Sequence, residues 1–157
     1  MKIKFIVTGR TEDDYVKAGI NHFSHRIKKY TPFEILFIPV AKYTGGTPAK
    51  EQVKRESDQI RKAIGEGDVV VLLDEHGKEM TSREFSGFLQ KKFLSGKKSL
   101  LFIAGGAYGF DEELKRKASQ MISLSRMTFP HQLVRVIFLE QLYRALTILK
   151  HEPYHHD

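Results

Sequence analysis

Short apolar runs alternate with charged stretches from one end of the chain to the other. Ile3–Val7 is rich in β-branched residues and stops at Gly9, which predicts a first strand. Thr11 stands ahead of an acidic first turn, with Asp14 three residues on, and predicts a helix N-cap. Val16, Ile20, Phe23 and Ile27 then recur at helical spacing, and Pro32 closes that region. Glu34–Ile38 reads as a second strand closed by Pro39, and Ala41–Thr47, with Gly45 and Gly46, as a mobile loop. Pro48 suits the first position of a highly charged helix whose thin apolar stripe is Val53, Ile60 and Ile64, ending at Gly65. Asp68–Asp74 predicts a third strand, and its continuous apolar run fits burial on both faces. Thr81 and Glu84 form a capping-box pattern before a helix lined by Phe85, Phe88, Leu89 and Phe93 and ended at Gly96. Leu100–Ala104 is the fourth predicted strand, a short helix follows from Asp111, and Met121–Leu124 is the fifth strand. A last helix runs from His131 to about Lys150.

This alternation predicts an α/β fold, with a mainly parallel sheet sandwiched by helices. At 157 residues one domain over 1–157 is expected, and no linker, repeat or low-complexity segment divides it. The first half of the last helix (Leu133, Val134, Val136, Ile137, Phe138, Leu139) is apolar nearly all round. Such a helix must be covered on more than one side, and in so small a protein a second subunit is a natural cover.

Composition narrows the chemistry. Lys and Arg number 26 against 19 Asp and Glu, a net +7, which suits an anionic partner such as RNA, DNA or acidic lipid, or serves solubility alone. Basic pairs such as Lys28-Lys29, Lys54-Arg55, Lys91-Lys92 and Lys115-Arg116-Lys117 are spread over several elements. They read either as solvated helix faces or as a phosphate-tracking surface. The chain has no cysteine, so disulfides, thiolate zinc sites, iron–sulfur clusters and a Cys nucleophile are excluded. Apolar runs such as Val69–Leu73 reach five residues, whereas a membrane span needs about 20. The opening apolar segment is too short for a secretory signal, and a cytoplasmic protein is expected. His22 and His25 lie at i, i+3 on a predicted helix, but nothing completes a metal ligand set, and no metal is expected.

In open α/β sheets, ligands sit outside the carboxyl ends of the strands. Three such ends are marked: Leu73-Asp74, Gly105, and Leu124-Ser125. Asp74 either caps a turn with Gly77 or meets the ligand. Gly105-Gly106-Ala107-Tyr108-Gly109 lacks the leading glycine spacing of a dinucleotide fingerprint and the Lys and Ser/Thr of a P-loop, so it reads as a tight turn or as a close approach to ligand. The third end runs through Arg126-Met127-Thr128-Phe129-Pro130-His131 into the long helix, a wall suited to a flat heterocycle such as adenine. The tail Pro153-Tyr154-His155-His156-Asp157 either frays or folds over a site and supplies proton-transfer groups.

The stretch Ser123-Leu124-Ser125-Arg126-Met127-Thr128-Phe129-Pro130-His131-Gln132-Leu133-Val134-Arg135-Val136, with Glu140-Gln141-Leu142-Tyr143-Arg144-Ala145 and Pro153-Tyr154-His155, resembles the ribosomal large-subunit pseudouridine N3-methyltransferase family. That family belongs to the SPOUT class of trefoil-knotted RNA methyltransferases. Leu73-Asp74-x-x-Gly77-Lys78 and Gly105-Gly106-x-x-Gly109 match as well, so the resemblance covers the whole chain. It implies a SPOUT-type α/β knot, a homodimer with its cofactor near the subunit interface, and S-adenosylmethionine as methyl donor. The implied substrate is a pseudouridine in the 23S rRNA of the assembled ribosome. Cofactor contacts carry over to Leu73, Gly105, Leu124, Ser125, Arg126, Met127, Thr128 and Phe129. Two residues depart from the family pattern: Ala104 replaces a bulkier aliphatic, and His156 stands where Lys or Arg is common.

The resemblance also points the chemistry at the tail. Methylating N3 of pseudouridine requires the imide proton to leave, and His155 is the candidate base. Arg144 is placed to stabilise the imide oxygens or grip a phosphate, and Tyr154 to stack on or orient the base. Arg135 and Glu140 stand between helix ion pairing and function. A non-catalytic ribosome-binding protein and a small-molecule nucleotide enzyme remain the alternatives at this point.

Overall fold

A computed structural model describes residues 1–40 and 43–156 of the chain. Ten elements alternate strictly: β1 (Lys2–Thr8), α1 (Asp14–Ile27), β2 (Phe33–Ile38), α2 (Ala49–Ala63), β3 (Val69–Glu79), α3 (Ser82–Phe93), β4 (Ser99–Ala104), α4 (Glu112–Lys117), β5 (Gln120–Ser123) and α5 (Leu133–Leu149). The strands form one sheet in the order β2-β1-β4-β3-β5, and every pairing is parallel. Of the loop expected over 41–47, positions 41 and 42 lie outside the described residues.

Side chains of successive strand residues point to opposite faces, and here both faces are apolar. Ile3, Phe5, Val7, Val71, Leu100 and Phe102 face one core with α1, α3 and α5. Ile6, Val70, Leu72, Leu101 and Ile103 face a smaller core with Ile60 of α2 and Leu114 of α4. β4, central in the sheet, is buried along its whole length. This is the two-sided burial that continuous apolar runs at Val69–Leu73 and Leu100–Ala104 required.

α5 lies between α1 and α3. Phe138 stacks over the sheet against Phe5 (ring centroids 4.6 Å) and Phe102 (4.9 Å). Gly19 lets α1 approach: a Cβ there would meet Val136 Cγ1 at 2.9 Å. On the other flank Ser86 Oγ donates to the Ala145 carbonyl at 3.1 Å. The sheet and two helices thus cover three sides of α5 within one chain. The half-exposed outer stripe, by contrast, runs Leu133, Ile137, Glu140, Arg144 and Ile148.

Two local expectations change and one is met. Thr11 does not cap α1; Asp13 occupies the N-cap without a side-chain cap bond, and Thr11 Oγ1 instead accepts from Arg135 at 2.8 Å. The Thr81–Glu84 capping box is present, and its hydrogen bonds hold the Glu84 carboxyl below its usual range. β3 does not stop at Asp74 but continues to Glu79. Its register breaks there: Leu73 pairs with Ile122, and Lys78 pairs with Ile122 again. Residues 74–77 therefore bow out in an arc around one backbone position of β5. Gly77 faces that backbone so closely that a Cβ would lie 2.6 Å from main-chain atoms of Met121 and Ile122. A knot requires the later chain to thread an earlier loop, and this arc with β5 against it is compatible with one.

Candidate methyl-donor cavity and C-terminal tail

Strand order brings β4, β3 and β5 side by side, and their registers align the carboxyl ends: Leu73 lies opposite both Ala104 and Ile122. Beyond those ends is a cavity of about 370 Å³. Leu73, Ile122, Leu124, Phe129 and Val134 make it apolar; Asp74, Glu75, Ser123, Ser125, Thr128 and His131 bring polar groups, and Met127 and the Gly106-Ala107 turn complete the wall. A second cavity of about 380 Å³ shares Leu73, Asp74, Glu75, Gly106 and Ala107 and adds Gly105 and Tyr108.

Local hydrogen bonds shape these walls. Ser123 Oγ donates to the Ser125 carbonyl at 3.0 Å, and Met127 N–H donates to Ser125 Oγ at 2.9 Å. That turn leaves the Met127 side chain 77% exposed at the cavity. It also sends Arg126 outward to pair with Glu79 at 3.7 Å, so Arg126 is the one member of the Leu124–Phe129 run whose side chain is not on the wall. Gly106 and Gly109 form a tight turn, with Gly109 at φ +76°. A Cβ on Gly105 would come within 3.0 Å of the Phe110 ring, so only glycine leaves that strand end open. The glycine cluster thus forms the tight turn, and that turn lies at the cavity. Asp74 does cap its turn, accepting from His76 N–H at 2.8 Å, and it also lines the cavity with a side chain only 9% exposed.

At the far end of α5 the tail packs rather than frays. Tyr154 meets Tyr143 edge-on at 4.7 Å, and its hydroxyl donates to Glu140 Oε1 at 3.1 Å. Arg144 Nε donates to the same oxygen at 3.0 Å, lies over the Tyr154 ring, and approaches His155 Nδ1 at 3.3 Å. The hydrogen bonds to Glu140 raise the Arg144 pKa, while burial and the neighbouring Glu140 raise that of Tyr154. Glu140 is therefore the hub that joins all three tail candidates. Sequence reasoning left Glu140 and Arg135 between helix ion pairing and function; Glu140 does pair along the helix, with Arg144, whereas Arg135 forms no ion pair among the described residues. Arg135 is 2% exposed; it donates to the Thr8 carbonyl at 2.7 Å and to Thr11, and burial lowers its pKa. It ties the start of α5 to the end of β1.

The two constellations stand apart. From Val134 at the cavity to Arg144 is ten residues of helix, roughly 15 Å at 1.5 Å per residue. Val134, which sequence reasoning did not mark, joins His131 on the wall because α5 starts immediately behind Phe129 and Pro130.

A family model described as a predicted SPOUT methyltransferase matches residues 1–155. A ribosomal RNA large subunit methyltransferase H from Parabacteroides distasonis is 48% identical, with all of both chains covered, and one from Bacteroides fragilis is 46% identical over the same full span. Among solved structures, a tRNA methyltransferase from Aquifex aeolicus superposes with a TM-score of 0.56, covering 100% of this chain and 76% of its own at 17% identity, a likeness of fold. With both the family model and relatives of nearly half identity running the length of the sequence, the chain belongs to the SPOUT methyltransferase family.

Proposed function

We propose that this chain methylates N3 of a pseudouridine in large-subunit (23S) ribosomal RNA, on the assembled ribosome in the cytoplasm, with S-adenosylmethionine as donor. The observation that carries this reading is the cavity at the three adjacent strand ends, whose wall includes Leu73, Gly106-Ala107, Leu124-Ser125 and Met127–Phe129. Its volume lies in the range of small-molecule sites. The apolar side chains suit the adenine face, and the open strand ends offer backbone groups to its edge. Asp74 and Glu75 supply negative charge where a sulfonium and an amino group need it. The residues present therefore fit the donor. When bound, S-adenosylmethionine supplies an electrophilic methyl group.

The rest is the work of the chain. Holding the acceptor nitrogen in line with the methyl group supplies much of the acceleration. His155 takes the imide proton, which contributes roughly 10²–10⁴-fold. Arg144 has only donors, so His155 Nδ1 accepts from it, and the neutral ring then carries its proton on Nε2. An imide oxygen or phosphate of the RNA competes for Arg144 and frees Nδ1 as the base. Tyr154, held by Glu140, orients the nucleobase. The roughly 15 Å along α5 that separates tail from cavity in one chain supports a homodimer in which the tail of one copy serves the cavity of the other. The single domain of each copy then suffices for both RNA binding and chemistry. Among the described residues no helix is long and apolar enough to cross a membrane.

Calorimetry with S-adenosylmethionine followed by labelled methyl transfer to ribosomes tests the reading. The native chain is expected to bind the donor and label 23S rRNA, and Leu124→Trp, which fills the cavity, is expected to do neither. A native chain that gives no heat is a non-catalytic ribosome-binding protein, and the proposal falls.

A further inference from the structure

A groove of about 570 Å³ lies between α3 and the open edge of the sheet at β5. Lys78, Lys91 and Lys92 rise from its walls over an apolar floor of Met80 and Phe88. Lys78 and Lys91 are exposed and form no ion pair among the described residues. Lys92 lies over the Phe88 ring, 5.1 Å from its centroid, and forms no ion pair among the described residues. The one carboxylate on the wall among the described residues, Glu84, accepts from the Thr81 N–H at 2.7 Å in the capping box and also feels the charge of Lys78. Some basic residues elsewhere do meet acids: Arg55 pairs with Glu51, Arg61 with Asp58 and Asp111, and Lys115 with Glu112.

The groove and the donor cavity lie along the same strand. Gln120 at its edge opens β5, and four residues on, about 13 Å at strand rise, the chain reaches Leu124 on the cavity wall. Exposed Arg126, two residues beyond Leu124, pairs with surface Glu79 and with no other acid among the described residues. Three clustered cations over an apolar floor, leading by a fourth into a methyl-transfer cavity, match the repeating charge of a nucleic acid backbone. We infer that this groove, through Lys78, Lys91 and Lys92, grips the phosphates of the RNA strand that leads to the target nucleotide. The inference rests on the rRNA methyltransferase reading above.

Each phosphate contact on a single strand contributes about 0.7 to the slope of log affinity against log salt. The test compares methyl transfer to ribosomes purified from a strain lacking this enzyme, at several salt concentrations. The Lys78→Gln/Lys91→Gln/Lys92→Gln protein is expected to raise KM at low salt by tenfold or more and to flatten the slope by about 2. Its kcat at saturating ribosomes and its heat of S-adenosylmethionine binding are expected to match the native protein. A matched loss of three charges on α2, Lys50→Gln/Lys54→Gln/Lys62→Gln, is expected to leave the slope within about 0.5 of native. Equal slopes for the native and groove proteins, or equal flattening by both triple variants, would overturn the inference. A native protein that labels no ribosome at any salt would instead remove the functional reading beneath it.

Discussion

Gly77→Ala is expected to cost this protein its fold. The added methyl would lie 2.6 Å from the main-chain atoms of Met121 and Ile122, and neither backbone can move without breaking the β3–β5 pairing at Leu73 and Lys78. Ordinary overpacking of a core costs about 1–3 kcal/mol because side chains can yield; here nothing flexible stands in the way. A domain of this size loses about 2–4 °C of Tm per kcal/mol. The variant is therefore expected either to be insoluble or to melt at least about 10 °C below the native protein. Gly87→Ala is the counterpart. Gly87 sits inside α3 with open space where its Cβ would be, so alanine there is expected to raise Tm by a few degrees, reflecting the roughly 1 kcal/mol helix preference of alanine over glycine. Thermal melts of the two variants separate a steric demand at one glycine from a general intolerance of substitution. A Gly77→Ala protein as stable as the native one would show that the arc of β3 does not clasp β5.

Mixed dimers are expected to regain activity that neither parent has. Leu124→Trp blocks the donor cavity, and His155→Ala removes the proposed base, lowering single-turnover methyl transfer by about 10²-fold or more. Subunits that mix at random give half heterodimers. If each tail serves the opposite cavity, one of the two sites in a heterodimer keeps both an intact cavity and an intact tail. Equal co-expression is then expected to restore about a quarter of native activity. If cavity and tail of the same chain worked together, no site in any mixture would be whole, and activity would stay at the level of the parents. The assay reads the roughly 15 Å separation along α5 directly in function. Calorimetry separates a role of His155 in chemistry from one in donor binding: His155→Ala is expected to bind S-adenosylmethionine as tightly as the native chain.

Much of this architecture is written locally. Five strands are legible because each is a short run with apolar residues near turn signals, and the rule that ligands gather at strand carboxyl ends groups Leu73, Gly105 and Leu124 before any contact is known. What escapes is set by distant backbone. Nothing in Glu75-His76-Gly77-Lys78-Glu79 signals a strand; those residues extend β3 only because β5, more than 40 positions later, lies against them. Arg135 reads as a helix ion-pair residue, yet its partners are Thr8 and Thr11, over 120 residues away. Arg126 sits in a motif whose other members line the cavity, and the Ser125–Met127 turn points it outward. The tail is a mixed case. Glu140 and Arg144 are an ordinary i, i+4 pair, while the docking of Tyr154 and His155 on them depends on how the chain turns after Leu149. The excess of basic residues likewise acquires a location in the groove beside β5 only when α3 and the end of β3 are seen together.

The most direct measurement is a mass-spectrometric map of 23S rRNA from cells lacking this protein, before and after incubation of their ribosomes with the purified chain and S-adenosylmethionine. The expected result is a single pseudouridine that lacks one methyl group in the deletion strain and gains it at N3 in the reaction. A methylation map unchanged by deletion, with no methyl group added by the protein, would contradict the account.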